Sequence, residues 1–341
     1  MTNLTRRNFI GVAGIAAAGL GLVGCGGSGS SDTKTDDGKS DATTDKVGAS
    51  EDLVKAAKDE GSLIVYGSCE EDYLAAACNH FEELYGIDVQ YQRLSTGEVQ
   101  AKIEEEKGNP SGDVWFGGTS DPYNVAAAED LLMPYEAVNA SHIKAPQYKD
   151  ANNNWFGIYT GMLGIMYNKD ELERKGLDAP KDFADLTDEK YKGLIWSSNY
   201  NTAGTAKLIV NTMIQKYGHD DGIYQIVDNG YDNIGLQVPT SGTSCEIGAT
   251  AIFKGAKHEN AAKLWIEYAL SPECVELAAK NGSYQFLVID NAEQPAVATE
   301  YGLDPNNTMD YDFDQAKADT KQNVEDVMAA LGGGDDRFQT E

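Results

Sequence analysis

From Ser62 onward the apolar positions of the chain switch repeatedly between a period of two and a period of 3.6. Leu63-Ile64-Val65-Tyr66 is a short apolar run bounded by Gly61 and Gly67, which reads as a strand. Asp72 to Tyr85 carries Leu74, Ala77, Cys78, Phe81 and Leu84 at helical spacing, with Gly86 as its stop. Ile87 to Tyr91 alternates as a strand. Ser95 and Glu98 then stand at capping-box spacing and open a helix expected to run through Lys107. Asp113 to Phe116 reads as the next strand and Ser120 to Leu132 as the next helix. Strands that alternate with helices call for an α/β fold, a parallel-rich sheet covered on both faces.

Residues 133–154 are rich in Pro and Asn and only weakly periodic, and they break this pattern. Gly157 to Tyr167 follows as one long apolar strand, expected to cross from a first lobe to a second. Leu194 to Trp196 reads as a strand of the second lobe and Thr202 to Tyr217 as its helix. Ile247 to Phe253 would return to the first lobe, and Ala261 to Lys280 reads as a further helix. The expected division is lobe 1 over 51–155 plus 245–285, lobe 2 over 156–244 plus 286–330, and a flexible end over 331–341.

The segment ahead of the body is organised differently. Arg6-Arg7 precede an uncharged run from Ile10 to Val23 that is too short to span a bilayer stably. That run ends in Leu22-Val23-Gly24-Cys25, the pattern of a bacterial lipoprotein signal with Cys25 as the lipidated residue. The paired arginines with Phe9 resemble a twin-arginine export signal, with a general secretory route as the alternative. Residues 26–50 are dominated by Gly, Ser, Thr and Asp and read as a disordered tether. An exported protein anchored on the outer side of the cell membrane would have this layout.

A formal net charge of −28 over 341 residues excludes nucleic acid as a partner, because such a surface repels phosphate backbones. An anionic ligand would need a local site that overrides the global field. Five cysteines, none in a CxxC or Cys/His cluster, give no support for a metal site, and disulfides and buried thiols stay equally open.

Candidate chemistry lies in small, hydroxyl-rich turns that follow strands and open helices. These are Gly67-Ser68-Cys69, Ser95-Thr96-Gly97, Gly117-Gly118-Thr119-Ser120, and Ser197 to Thr205. Each offers backbone N–H groups at a helix N-terminus together with a hydroxyl, a donor set suited to an anion. In a doubly wound fold such turns gather at the carboxyl edge of the sheet. Catalytic residues are not expected. The Walker and dinucleotide fingerprints are missing, and the four histidines are scattered without an evident acidic partner. Gly242-Thr243-Ser244-Cys245-Glu246 starts like a nucleophile elbow but has Glu246 in place of the second glycine, so a serine hydrolase is the least favoured alternative.

Several stretches resemble the extracellular solute-binding proteins of ATP-binding-cassette importers, in the branch for ferric iron, hexose phosphates and phosphonates. They are SLIVYGSCEEDY, STGEVQAKIEEEKGNPSGDVWFGGTSDPYNVAAAEDLLMPY, WFGIYTGMLGIMYN, YKGLIWSSNYNTAGTA and PTSGTSCEIGATAIFKGAKHENAAKLWIEYALSPE. The resemblance implies a two-lobed, type II periplasmic-binding-protein fold that closes on its solute through hinge strands, with an ABC permease and ATPase as partners. It places Ser68, Ser95, Thr96, Gly118, Thr119, Thr202, Gly204, Thr205 and Glu246 around the cleft. Hydroxyls and helix ends would take a phosphate or phosphonate, and Glu246 would accept from sugar hydroxyls or an amine. No cofactor is implied. Ferric iron is the alternative ligand, although the adjacent tyrosine pair of the iron-binding members is missing here. Family members also carry a strand–helix–strand block, roughly 30 residues or more, between YGHDDGIYQI and VDNGYDNIGLQVPT, which this chain joins almost directly. The second lobe is therefore expected to be reduced.

Overall fold

A computed structural model describes residues 47–195, 200, 203–218, 234–237, 239–296 and 308–330. The signal, Cys25, most of the tether, Trp196, Thr202 and the join between the two halves of the second lobe lie outside the described residues.

The first half alternates as its periodicity requires: α1 (Glu51–Glu60), β1 (Ser62–Gly67), α2 (Glu71–Tyr85), β2 (Asp88–Arg93), α3 (Thr96–Glu105), β3 (Val114–Phe116) and α4 (Ser120–Ala128). β1 pairs in parallel with β2 and β3, with Gly67 opposite both Arg93 and Phe116, so the three strands end at one level. Side chains of β1 and β3 divide by parity. Leu63, Val65, Val114 and Phe116 enter a core with α2 residues Leu74 and Phe81 and with Trp265. Tyr66 and Trp115 enter a second core with Val99 of α3 and Tyr123 of α4. The sheet is thus buried on both faces, as a βα-wound sheet must be.

α4 ends four residues earlier than the periodicity suggests. Asp130 takes a positive φ of 60°, and Leu132–Met133 leave the helix direction to form β4. The long apolar run around residue 160 is two strands rather than one. β5 (Phe156–Met162) stays in the large sheet, Leu163-Gly164 break the pairing, and β6 (Ile165–Asn168) pairs instead with β7 (Ile234–Gln237) in a separate two-stranded sheet. β8 (Cys245–Phe253) runs antiparallel between β3 and β5. The large sheet has the order β2-β1-β3-β8-β5-β9, with β4 also on β8 and β9 at Phe286–Leu287.

α5 (Lys169–Lys175) and α6 (Gly204–Tyr217) belong to the second half. The helix expected over 261–280 is broken into α7 (Glu259–Ala269), α8 (Pro272–Val275) and α9 (Leu277–Lys280). Pro272 lacks the N–H needed to continue α7, and it sits where proline is tolerated, at the first turn of a new helix that follows Ser271. α10 (Phe313–Ala330) packs on α6 through Val324 and Val327, which join Ala206, Val210 and Ile214 in one cluster. A neighbouring cluster joins Leu163 and Ile165 to Phe183, Leu208 and Met213.

Cys69, Cys78 and Cys274 are buried and Cys245 is half-buried, and none of the four is in a disulfide. Burial holds each of them protonated, with Cys274 pushed up to about 12. The histidines find acids that linear spacing does not reveal. His258 Nδ1 lies 2.8 Å from Asp113 Oδ2, and His142 Nδ1 lies 2.9 Å from Asp290 Oδ1. Asp113 also accepts from the backbone N–H groups of Ile64, Lys257 and His258, so this pair ties β1 to the start of α7 rather than serving chemistry.

Candidate ligand-binding site

Three helix starts meet where β1, β2 and β3 end. Gly118, at a φ of +94°, sits so close to α3 that a methyl group in its place would lie 2.6 Å from Thr96 Oγ1 and 2.9 Å from Ser68 Cβ. Gly204, the first residue of α6, approaches from the second half. A methyl group there would lie 2.5 Å from Thr119 Oγ1 and 2.9 Å from Thr96 Oγ1. The turn after β1 and the N-termini of α3, α4 and α6 therefore converge on one spot. Each of these helices is long enough to carry a useful partial positive charge at that end.

The hydroxyls at this spot have different duties. Ser68 Oγ accepts from Trp115 Nε1 at 3.0 Å. Ser95 is spent locally: its hydroxyl accepts from the Glu98 N–H at 3.3 Å while its backbone N–H donates to Glu98 Oε2 at 2.7 Å, completing the capping box, and the hydroxyl also donates to Glu98 Oε2 at 2.6 Å. That bonding holds the Glu98 carboxyl below its ordinary value. Thr119 precedes α4 without capping it, and its buried Oγ1 has no hydrogen-bond partner among the described residues. An orphaned buried hydroxyl costs roughly 1–3 kcal/mol, so its placement at three helix starts points to a ligand acceptor.

Glu246 lies beyond the level at which β3 ends, near the start of β8, opposite Gly161 of β5. Its Oε2 accepts from Thr205 Oγ1 of α6 at 2.6 Å. Burial pushes its carboxyl up to about 7, with the Glu70 and Asp121 charges adding to the rise and the Thr205 bond opposing it. Of the residues singled out from sequence, Ser68, Thr96, Gly118, Thr119 and Gly204 come together and Thr205 joins Glu246. Ser95 is adjacent in chain but engaged elsewhere, and Thr202 lies outside the described residues.

Some neighbours carried no local signal. The Gly118 N–H donates to Tyr159 Oη at 3.1 Å. Tyr123 Oη lies 2.7 and 2.8 Å from the carbonyls of Gly117 and Ala249, sharing its one proton between them. Lys207, one turn into α6, is partly buried, and that burial pulls its ammonium down against the opposing pull of Glu104. An anion nearby would relieve that cost. Ser244 is fully buried with its Oγ 2.6 Å from Thr212 Oγ1, so it is no nucleophile presented to solvent.

Residues 120–235 match the family profile of the bacterial extracellular solute-binding proteins. An uncharacterized protein of Haemophilus influenzae is 31% identical over 326 positions, covering 81% of this chain and 93% of the relative. A putative 2-aminoethylphosphonate-binding periplasmic protein of Salmonella typhimurium is 32% identical over 170 residues, 49% of this chain and 45% of its own. Among solved structures, the periplasmic binding protein AfuA of Actinobacillus pleuropneumoniae, with exogenous fructose-6-phosphate bound, superposes with a TM-score of 0.71. It is 29% identical and the match covers 79% of this chain and 98% of AfuA. In the Haemophilus alignment, 81% of 341 residues is about 276 against 326 positions, leaving about 50 opposite gaps. That deficit exceeds the roughly 30 residues of one strand–helix–strand unit. On this similarity across most of its length, the chain belongs to the bacterial extracellular solute-binding proteins, the non-catalytic receptors that serve ABC importers from the periplasmic or extracellular side.

Proposed function

We propose that this receptor captures a small phosphorylated or phosphonate solute between its two lobes. The helix starts of α3, α4 and α6 would hold the anionic group, and Glu246 would receive the rest of the solute. The observation that carries this reading is the buried, unpartnered Thr119 Oγ1 at the convergence of the three N-termini. Donors of this kind bind an anion through backbone dipoles, which reconciles anion capture with a net charge of −28. Glu246, beside Glu70 and Asp121, suits an ammonium or hydroxyl donor at the far end of the solute. The phosphonate and sugar-phosphate relatives support the same class. Ferric iron is the poorer fit. Burial pushes Tyr123 and Tyr159 well up, against the phenolate form a hard ferric ion favours.

Isothermal titration with 2-aminoethylphosphonate, glucose 6-phosphate, fructose 6-phosphate, phosphate and ferric citrate tests the reading. A phosphorylated or phosphonate compound is expected to bind, and binding by ferric citrate alone would overturn it. Thr119→Val should weaken the best ligand about 10- to 100-fold, the worth of one hydrogen bond to a charged group. The same variant should leave the thermal midpoint of the free protein unchanged or higher, because it deletes an unpaired buried hydroxyl. The lobes would part after β5 and at the start of β8, the hinge strands, with β5 and β9 kept in the large sheet of the first lobe.

We infer further that the arginine pair and the Leu22–Cys25 sequence make this an exported lipoprotein tethered through residues 26–50. Cys25→Ala should move the protein from the membrane fraction to the soluble fraction. Retention in the membrane would refute the anchor.

A further inference from the structure

Beside the convergence of helix starts, a buried polar cluster links the halves of the molecule. Asp121, in the first turn of α4, is 6% exposed. Its Oδ2 accepts from Tyr311 Oη at 2.8 Å and lies 3.5 Å from Asn211 Nδ2 of α6. Asn211 Nδ2 also donates to Thr320 Oγ1 of α10 at 2.8 Å, and Asn211 Oδ1 accepts from Asn323 Nδ2 at 3.0 Å. Phe313, at the start of α10, packs against the core beneath α3 and α4. One acidic side chain of the first half is therefore held by groups on two elements of the second.

We propose that Asp121 and Tyr311 are positioning residues of a proton-linked latch. The latch holds α4, α6 and α10 together in the closed form and so keeps the ligand-gripping helix starts in register. The proposal rests on the two-lobed closing fold and is independent of which solute is bound.

The carboxyl is what makes the latch sensitive to pH. Burial pushes Asp121 up to about 6 from its ordinary 3.8, and the bonds from Tyr311 and Asn211 only partly oppose this. When the halves part and water reaches Asp121, its ordinary value returns, so closing takes up a proton. The contribution to closure is full below the open-state value and is lost as pH rises through about 6. The groups facing Asp121 are Tyr311 and Asn211, with uncharged Thr320 and Asn323 behind them. Asp312 acts on Tyr311, and Glu246 on β8 is the other acid within electrostatic reach.

Because Glu246 is raised as well, the test is made in the Glu246→Gln background, on ligand-free protein. Spin labels are introduced as unnatural amino acids at exposed Lys55 and Glu173, and the distance between them is read by pulsed electron resonance. The closed-to-open ratio is expected to fall about tenfold from pH 5 to pH 8, as the two values for Asp121 require. Adding Asp121→Asn, which still accepts from Tyr311, should flatten that response and hold the closed population at pH 8. Adding Tyr311→Phe should shift the distribution toward the open distance at every pH. A tenfold response that survives Asp121→Asn, or a distribution untouched by Tyr311→Phe, would overturn the latch. Neither outcome depends on a ligand, so the latch and the solute assignment fail separately.

Discussion

Gly204→Val is expected to abolish ligand capture, by at least about 100-fold in Kd, or about 2.7 kcal/mol, while leaving the protein folded. Gly204 is where α6 touches the starts of α3 and α4. A side chain there meets Thr119 Oγ1 at 2.5 Å, Thr96 Oγ1 at 2.9 Å and Thr119 Cγ2 at 3.0 Å. Both threonines are β-branched and stiff at χ1, and both begin helices, so neither can retreat by rotating alone. The clash exists only when the two halves are together. In the parted form valine replaces glycine in a helix first turn, which costs nothing in propensity. Titration against the best ligand, with circular dichroism to follow unfolding, separates the two effects. Binding within threefold of the parent would show that these helix starts do not close on the solute.

Trp265→Ala should produce a large stability loss, about 3–5 kcal/mol. Trp265 of α7 is fully buried in the core that joins α2, β3 and α7. Its ring centroid lies 5.2 Å from Phe116, 5.3 Å from Phe81 and 5.6 Å from Tyr268. Removing the indole leaves a cavity that these aromatics, fixed on three separate elements, cannot fill. Trp265→Phe should cost far less, because the indole Nε1 is buried without a partner among the described residues and phenylalanine deletes that unpaired group. Urea midpoints of the two variants check both statements. Equal losses would mean that volume is not what matters there.

What could be read in advance was local. The capping box of Ser95 and Glu98 spans four residues, and α2 closes at Gly86 in the left-handed conformation, so both follow from short stretches of chain. The helix starts around Thr96, Thr119 and Gly204 follow from the same short-range logic, joined to the rule that strand ends gather at one edge. The division of labour among the hydroxyls does not. Ser95 and Thr119 both stand just ahead of a helix, yet one completes its own cap and the other stays unpartnered among the described residues. Asp121 is less legible still. Its partners Asn211 and Tyr311 lie 90 and 190 residues away, and nothing near it in the chain distinguishes it from a first-turn acid facing solvent. The split of the long strand at Leu163-Gly164 escaped for a related reason. Apolar runs look the same whether they stay in one sheet or pass to another, and only the pairing partners decide.

The four described cysteines stay reduced inside the fold, and this bears on how the protein matures. The packing around these sulfurs depends on no disulfide, so it can form in a reducing compartment as well as in an oxidising one. Once outside, three of the four are sealed beneath packed side chains, and burial keeps all of them in the unreactive thiol form.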